Sequence, residues 1–498
     1  MGCIQLAGSI RPNENRFDLF LDLVLVATIA VLAETFTEEA FSVENPDRDT
    51  GGAFLTYAMS FSLVSRIWKD LRMFMNHFFV GKCQAHVELI IRDIDNTFID
   101  DYLQRFFIVL ILTIVIILAG TAPALDTASS HFGQTLNAMI LSYIIVRAAF
   151  GAMHLYYSIL LPWLRNVQLV SFVLTLPSLA LWIVTLYVHM PNKIVVFFVA
   201  LVLEMILEKA HSLPVFSKLS KGYILRRDYE HYLERVSAFL TVLLGSGIEL
   251  LISSSPAGHQ IEPLLRYVIP SFLIIYFLYY MYANGVEDQV YLHAARRGWK
   301  VEILWDFLHI PLFGSVPVLG VALASMTTLV YEDQEEPSVH YTLRTAQWIT
   351  SICLAEIILI MTVLSLLNKP IRAPYKVWVD NRYLRALPRL MIIIILPCLP
   401  LGVDPSYHIG TMAGLISAVS VFEFGASWRR DGKLFEPKEV AKESIEIKNE
   451  HQIEGGKKAK ESACMEAAAE NEERKEKHGE ALTGQTLTST SDNGAASP

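Results

Sequence analysis

The chain has 498 residues, of which 53% are hydrophobic and only 18% charged, with a net charge of −9 and a mean hydropathy of +0.39. Soluble domains carry about 25% charged residues, so this balance excludes an ordinary water-soluble enzyme and makes the bilayer the solvent for most of the chain. The acidic excess lies in a Glu- and Lys-crowded C-terminal stretch with no basic face, which excludes a nucleic-acid partner.

About twenty apolar residues, rising 1.5 Å each, cross the roughly 30 Å hydrocarbon core of a bilayer. Residues 1–16 read as a cytosolic N-terminus. Met1-Gly2-Cys3 invites acylation at Gly2 or Cys3, although Leu6 stands where a myristoylation signal needs Ser or Thr. The first apolar run carries Asp18 and Asp22 and is not followed by a small-residue cleavage site, so it is expected to be a retained span rather than a signal peptide.

A first six-span half over 17–208 is predicted, with spans near 17–33, 53–68, 105–122, 135–158, 164–187 and 192–208. A cytosolic linker at 209–232 follows. The second half, 233–425, is predicted to hold spans near 233–253, 263–283, 303–330, 345–367, 388–402 and 408–425. Residues 426–498 carry too few apolar side chains to bury a core and read as a disordered cytosolic tail. The predicted fold class is therefore all-α, a polytopic transmembrane helical bundle of about twelve spans.

Loop charge orients the bundle, because Lys and Arg accumulate on the cytoplasmic side. Loops after even-numbered spans hold Lys69, Arg72, Lys82 and Arg92, then Arg165, a basic run from Lys209 to Arg227, Arg296, Arg297 and Lys300, and a run from Lys369 to Arg389. The alternate loops hold Arg48, Lys193 and Arg344. Both termini are accordingly expected in the cytosol, with the choice between plasma membrane and endomembrane left open.

Charges inside apolar runs are the candidate functional residues, since each costs about 2.5–3.5 kcal/mol at mid-bilayer and needs a partner or a wet cavity. Arg147 lies near the centre of span four and Glu356 near the centre of span ten, and they are expected to form an intramembrane pair. A second set gathers at helix starts: Asp18 and Asp22 in span one, Asp101 and Arg105 in span three, Glu234 and Arg235 in span seven, and Glu302, Asp306 and His309 in span nine. The i, i+4 and i+7 spacings place the groups of spans one, three and nine each on one helix face. Together with Glu249, the residues Asp18, Asp22, Asp101, Arg105, Arg235, Asp306 and His309 form a candidate ion or proton pathway. Histidine suits proton coupling because its ordinary pKa, about 6.5, lies near working pH.

Span one reads Arg16-x-x-x-Phe20-x-Asp22-x-Val24 and span seven reads Arg235-x-x-x-Phe239-x-Thr241-x-Leu243. This spacing suggests a six-plus-six parallel repeat, an arrangement found among transporters.

The five cysteines, Cys3, Cys83, Cys353, Cys398 and Cys464, show no CxxC spacing, and HExxH, GxSxG and a Gly-rich phosphate loop are absent. His86 with Glu88, and Asp306 with His309, are too sparse to define a metal site. No cofactor, metal or enzymatic activity is expected.

Four segments resemble the low-temperature-requirement A family of membrane proteins. Asp18-Leu19-Phe20-Leu21-Asp22-Leu23-Val24-Leu25-Val26 is similar to that family's E-L-F-F-D-L-V-F-V signature, and Asp100-Asp101-x-x-x-Arg105 to its D-D-x-x-x-R step. Glu234-Arg235 with Leu244-Gly245 resembles its E-R…L-G-E span, and His309-Ile310-Pro311-Leu312 its H-x-P-L element. The acid that follows Leu-Gly in that pattern is Ser246 here, with Glu249 one turn on. The resemblance implies a polytopic fold, and the long connection from Lys69 to Asn96 with the extended tail points to a eukaryotic, fungal member.

The Arg16-x-x-x-Phe20-x-Asp22 pattern is also similar to the R-x-x-x-F-S-D motif of endolysosomal potassium channels built from two six-span repeats. Leu21 and Leu23 replace the small residues of that motif, and no T-V-G-Y-G filter loop is present.

The expected function is transport or conduction of a small ion or solute. The partners would be a small cation or a proton, membrane lipids and, as a homo-oligomer, further copies of the chain. The alternative is a non-transporting scaffold or sensor linked to cold or lipid adaptation.

Overall fold

The computed structural model describes residues 14–41, 50–78, 97–125, 127, 129–160, 165–210, 229–253, 264–285, 291–294, 297–329, 337–370, 379 and 381–427. All lie in one unit, Met1–Trp428; the second unit, Arg429–Pro498, lies outside them, as do residues 428–498 of the expected tail, His86, Glu88 and residues 211–228 of the expected linker, whose ends at 209–210 and 229–232 are helical.

Among the described residues there are twelve α-helices: α1 (Glu14–Ala40), α2 (Thr50–Phe78), α3 (Thr97–Thr121), α4 (Phe132–Leu160), α5 (Arg165–Tyr187), α6 (Asn192–Ala210), α7 (Tyr229–Ser253), α8 (Ile269–Gly285), α9 (Trp299–Leu329), α10 (Pro337–Leu367), α11 (Arg382–Ile395) and α12 (Pro405–Ser427). Each overlaps one predicted segment. A single antiparallel pairing of two-residue strands, β1 (Tyr291–Leu292) and β2 (Lys369–Pro370), ties the segment before α9 to the segment after α10. The fold is an all-α polytopic bundle.

Eight helices, α1, α3, α4, α5, α7, α9, α10 and α12, are long and apolar enough to cross a membrane. The remaining four fall short for visible reasons. Helices α8 and α11 have 17 and 14 residues. Charges interrupt the apolar stretches of α2, which carries Arg66, Lys69, Asp70 and Arg72, and of α6, which carries Glu204 and Glu208.

The sequence places the end of span two at residue 68, where these charges begin; the helix instead continues to Phe78. Lys69 and Arg72 are therefore helix residues rather than loop charges. Arg, Lys and Met are good helix formers, so nothing local stops the helix at that point.

Helix α9 is the centre of the bundle. Its spanning window is 78% buried, against 17% for α5 at the periphery, and it packs on α1, α7 and α10. Side chains such as Phe106, Val109 and Ile117 of α3 are exposed and apolar, as a lipid-facing surface requires.

Helices α7 and α9 run parallel, because three contacts follow the same order along both: Tyr232 with Trp305, Phe239 with Phe313, and Gly247 with Gly320. At the last pair the two backbones nearly touch; a Cβ added to Gly320 would lie 2.8 Å from Gly247 Cα. Helix association in lipid relies on van der Waals packing, and paired glycines allow the closest approach. Helices α1 and α2 are antiparallel, with Asp22 beside Trp68 at one end and Glu39 beside Thr56 at the other.

Pro311 and Pro317 lie inside α9. A proline lacks the N–H that would bond the carbonyl four residues back, so Pro317 leaves the Phe313 carbonyl without that helix donor. The Tyr57 hydroxyl of α2 donates to the next carbonyl, Gly314, at 2.7 Å and ties the two helices at this turn. Tyr57→Phe is expected to destabilise the fold by about 1 kcal/mol, measured by thermal unfolding in detergent, because a buried hydrogen bond between α2 and α9 is lost.

Candidate functional site

The charged face of α2 organises the bundle interior. Arg66, Lys69 and Asp70, at i, i+3 and i+4, share one side of the helix, and Trp68 and Arg72, also four apart, occupy the adjacent side.

On the first side, four helices meet at Glu204 of α6, which is 1% exposed. Its Oε1 accepts from Arg66 Nε at 2.9 Å and Tyr143 Oη at 2.6 Å, and lies 3.1 Å from Arg147 Nε. Its Oε2 accepts from Trp182 Nε1 at 2.8 Å and Ser178 Oγ at 3.2 Å. One carboxylate thus holds α2, α4 and α5 to α6. Around it, Arg66 also binds Glu208 and, at 3.1 Å, Asp70, while Arg147 binds Asp70.

On the second side, Asp22 of α1 accepts from Arg235 Nη2 of α7 at 2.5 Å and from Trp68 Nε1 at 3.2 Å. Trp68 stacks on Phe239 with ring centroids 4.2 Å apart. The Arg72 guanidinium is sandwiched between the Trp68 and Tyr232 rings, 4.1 and 4.0 Å from their centroids. Such cation–π contacts hold a guanidinium by the ring quadrupole. Arg72 Nη2 donates to the Tyr232 hydroxyl at 2.7 Å, and that hydroxyl donates to Asp306 Oδ1 at 2.5 Å.

Lys69 joins the two sides. Its Nζ is 3.2 Å from Glu208 Oε1 of α6 and 3.7 Å from Asp306 Oδ2 of α9. Among the described residues the layer holds five basic groups, Arg66, Lys69, Arg72, Arg147 and Arg235, and five acids, Asp22, Asp70, Glu204, Glu208 and Asp306. Pairing of opposite charges is what burial in a low-dielectric interior demands. Asp22, Arg235 and Asp306 all lie within about the first two turns of their helices, so the second side sits near the end of the bundle where α1, α7 and α9 begin.

His309, one turn beyond Asp306, is buried against the Trp305 ring at 4.0 Å. Its Nδ1 is 2.8 Å from the Trp305 carbonyl, which can only accept, so Nδ1 carries a proton. Nε2 is 3.1 Å from the Tyr282 hydroxyl of α8.

The candidate residues divide accordingly. Asp22, Arg235, Asp306 and His309 come together at this end of the bundle. The expected Arg147–Glu356 pair is not formed: Arg147 is taken by Asp70 and Glu204, and half-buried Glu356 accepts from Ser315 Oγ of α9 at 2.9 Å. Arg105 and Glu249 are exposed on the outside of the bundle and stand apart from the layer. The side chains of Asp18 and Asp101 lie outside the described residues. Thr241, which takes the place of Asp22 in the second copy of the motif, is exposed and bonds back to the Ser237 carbonyl, so the two copies have different surroundings.

Sequence reading missed Arg66, Asp70, Glu204 and Glu208, and took Lys69 and Arg72 for loop residues. The signal was available as helical spacing: 66, 69 and 70 on one face, and 204 and 208 on another, with apolar residues opposite. Among the described residues no three His, Cys, Asp or Glu side chains are grouped to hold a metal ion.

A family profile described as "Bacterial low temperature requirement A protein (LtrA)" matches residues 95–420. No curated protein matches the chain. The matched stretch includes Arg147, Glu204, Glu208, Arg235, Asp306 and His309, whereas α1 and α2, with Asp22 and the charged face from Arg66 to Arg72, precede it. With about two thirds of its length matched, most of the helical bundle included, the chain belongs to the low temperature requirement A family.

Proposed function

We infer that this multi-pass membrane protein moves a small ion, a cation or a proton, across its membrane, and that the charged layer joining α1, α2, α7 and α9 lies on the route. The observation supporting this reading is a layer of acids and bases, six of them buried (Asp22, Arg66, Lys69, Arg147, Glu204 and Asp306) and the others partly buried, inside a bundle with apolar outer faces. Such groups are expensive within a membrane and characteristically mark ion pathways and proton relays. Stability alone does not require them, because replacing a buried ion network by well-packed apolar side chains is often neutral or stabilising.

The arrangement suits a division of labour. The junction at Glu204, with every oxygen occupied, acts as a fixed post holding α2, α4, α5 and α6. Helices α1, α7 and α9 meet the post through contacts spread along α2, from Tyr57 to Arg72, rather than at one shared carboxylate, and shift against it to admit an ion.

A second reading, a non-transporting scaffold or sensor, draws on the same saturation of Glu204, since a fully satisfied cluster also serves a rigid support.

Flux of K+, Na+ and H+ into proteoliposomes separates the two. Native protein is expected to conduct at least one of these ions, and Asp22→Asn, which weakens the tie between α1 and α7, to change that flux tenfold or more at equal insertion. Absence of flux for all three ions favours the scaffold.

A further inference from the structure

Glu356 is an acid that the charged layer leaves out. The apolar stretch of α10 covers Ser338–Leu367, and Glu356 lies about 16 Å of helix from its Leu367 end, well inside it. Ser315 Oγ of α9 donates to its Oε2 at 2.9 Å. Among the described residues Glu356 has no ion pair, whereas Asp22, Asp70, Glu204, Glu208, Asp306 and, on α12, Glu423 each have one. The titratable groups beside it are the Cys353 thiol, one turn back on α10, and, next to that thiol, the Tyr57 hydroxyl of α2. Neither brings a positive charge.

The other side of Glu356 faces outward. Trp348 and Leu359 are exposed on the outer face of α10, and Ile352 and Glu356 lie between them at helical spacing, each partly exposed. Glu356 Oε1 accepts no hydrogen bond and is not sealed from the surface. The carboxyl is therefore reached through the same strip of surface as these apolar side chains, with no movement of any helix. An isolated carboxylate in an apolar medium is costly enough that the group neutralises instead. With no cation at hand and hydrocarbon on one side, a proton is the ligand that neutralises it.

We propose that Glu356 is a proton site open to the lipid: its carboxyl takes up a proton inside the membrane and gives it up again as the protein moves protons across. This assignment rests on the ion-moving function inferred above and names the ion as a proton. The donor Ser315 belongs to α9, the helix that brings Asp306 and His309 to the charged layer, and lies about 13 Å further along that helix than Asp306. Glu356 is thus a station deeper in the membrane than the layer.

Dicyclohexylcarbodiimide is the probe, being apolar enough to reach a carboxyl from lipid. The carboxyl O–H adds across one C=N bond, oxygen to carbon and proton to nitrogen, and the acyl group then moves to the other nitrogen. A stable adduct forms with no leaving group, and the addition consumes the acid proton. Native protein in phosphatidylcholine vesicles is labelled at graded pH and the modified side chains are located by mass spectrometry, with Glu34 and Glu249, exposed nearer the ends of their helices, as the comparison. Glu356 is expected to react at neutral pH at least tenfold faster than either, and more slowly as the pH is raised. In Glu356→Gln, whose amide oxygen still accepts from Ser315, H+ flux read by a pH-sensitive dye is expected to fall tenfold or more at equal insertion.

No adduct at Glu356, an adduct formed no faster than at Glu249, or a rate that ignores pH overturns the proposal. So does H+ flux that Glu356→Gln leaves at the native level, or a native protein that moves K+ or Na+ and not H+; in both cases the transport reading stands. If Glu356→Gln fails to insert, native H+ flux is followed as Glu356 is labelled: loss in step with labelling supports the proposal, and flux untouched by full labelling overturns it. Labelling as expected with no flux of any ion removes the transport reading while supporting the proton site.

Discussion

Replacing Glu204 with Gln is expected to destabilise the protein by about 3–5 kcal/mol, the range for removing one partner of a buried ion cluster. The isosteric change keeps the shape and removes the charge that balances Arg66 and Arg147. It also replaces one accepting oxygen by an NH2 group that donates. Four donors bond to the native carboxylate, two on each oxygen, and the Arg147 guanidinium lies beside it, so the new NH2 faces donors whichever way the amide turns.

Tyr143→Phe and Ser178→Ala, each removing one neutral donor, are expected to cost about 1 kcal/mol. Unfolding in mixed detergent and denaturant measures the series. In an Arg66→Met background, Glu204→Gln is expected to cost clearly less than on its own, since the two groups share one interaction. Equal costs in both backgrounds would show that Glu204 does not act through Arg66.

At the other large effect, Gly320→Leu is expected to lower stability by about 3 kcal/mol or more, and Gly320→Ala by about 1–2 kcal/mol, through overpacking between α7 and α9. The first added carbon already falls 2.8 Å from Gly247 Cα, and the atom it meets is backbone, which cannot rotate away. The gain in helix propensity from Gly to Ala, about 1 kcal/mol, offsets part of this.

Gly247→Ala provides the control. Its new Cβ meets Gly320 Cα at 3.5 Å and Ile275 Cδ1 at 3.7 Å, which is ordinary contact. That substitution is expected to be neutral or slightly stabilising. Thermal unfolding of the three variants should rank Gly247→Ala above Gly320→Ala above Gly320→Leu, and a reversal of the first two would mean that the helices meet in a different rotation.

Much of the charged layer was visible before any coordinate. Asp22, Arg147, Arg235, Asp306 and His309 stand out because each interrupts an apolar run, and the penalty for a charge in lipid makes such an interruption informative by itself. The charges of α2 and α6 escaped the same logic because they come in groups. A cluster such as Arg66, Lys69, Asp70 and Arg72 reads as the end of a span when apolarity is averaged, while the helix continues because its backbone is indifferent to what the opposite face buries.

Partnership was a different matter. Arg147 and Glu356 were paired on the strength of central positions in corresponding helices, yet depth in a sequence window carries no information about rotation around the helix axis. Arg147 turns toward α2 and α6, where two acids await it; Glu356 turns toward Ser315.

Composition and periodicity by themselves determined that this protein is an all-helical bundle, roughly where the twelve helices among the described residues lie, and which residues are too costly to be incidental, because these follow from local hydrophobicity and from the energy of a lone charge in lipid. Only the tertiary structure decided that Glu204 is the common acceptor of α2, α4 and α5, that Asp22 meets Arg235 across 213 positions of chain, and that Lys69 lies between two helices. Those outcomes depend on how each helix is rotated about its axis, which is set by the mutual packing of all the helices and is encoded in no single segment.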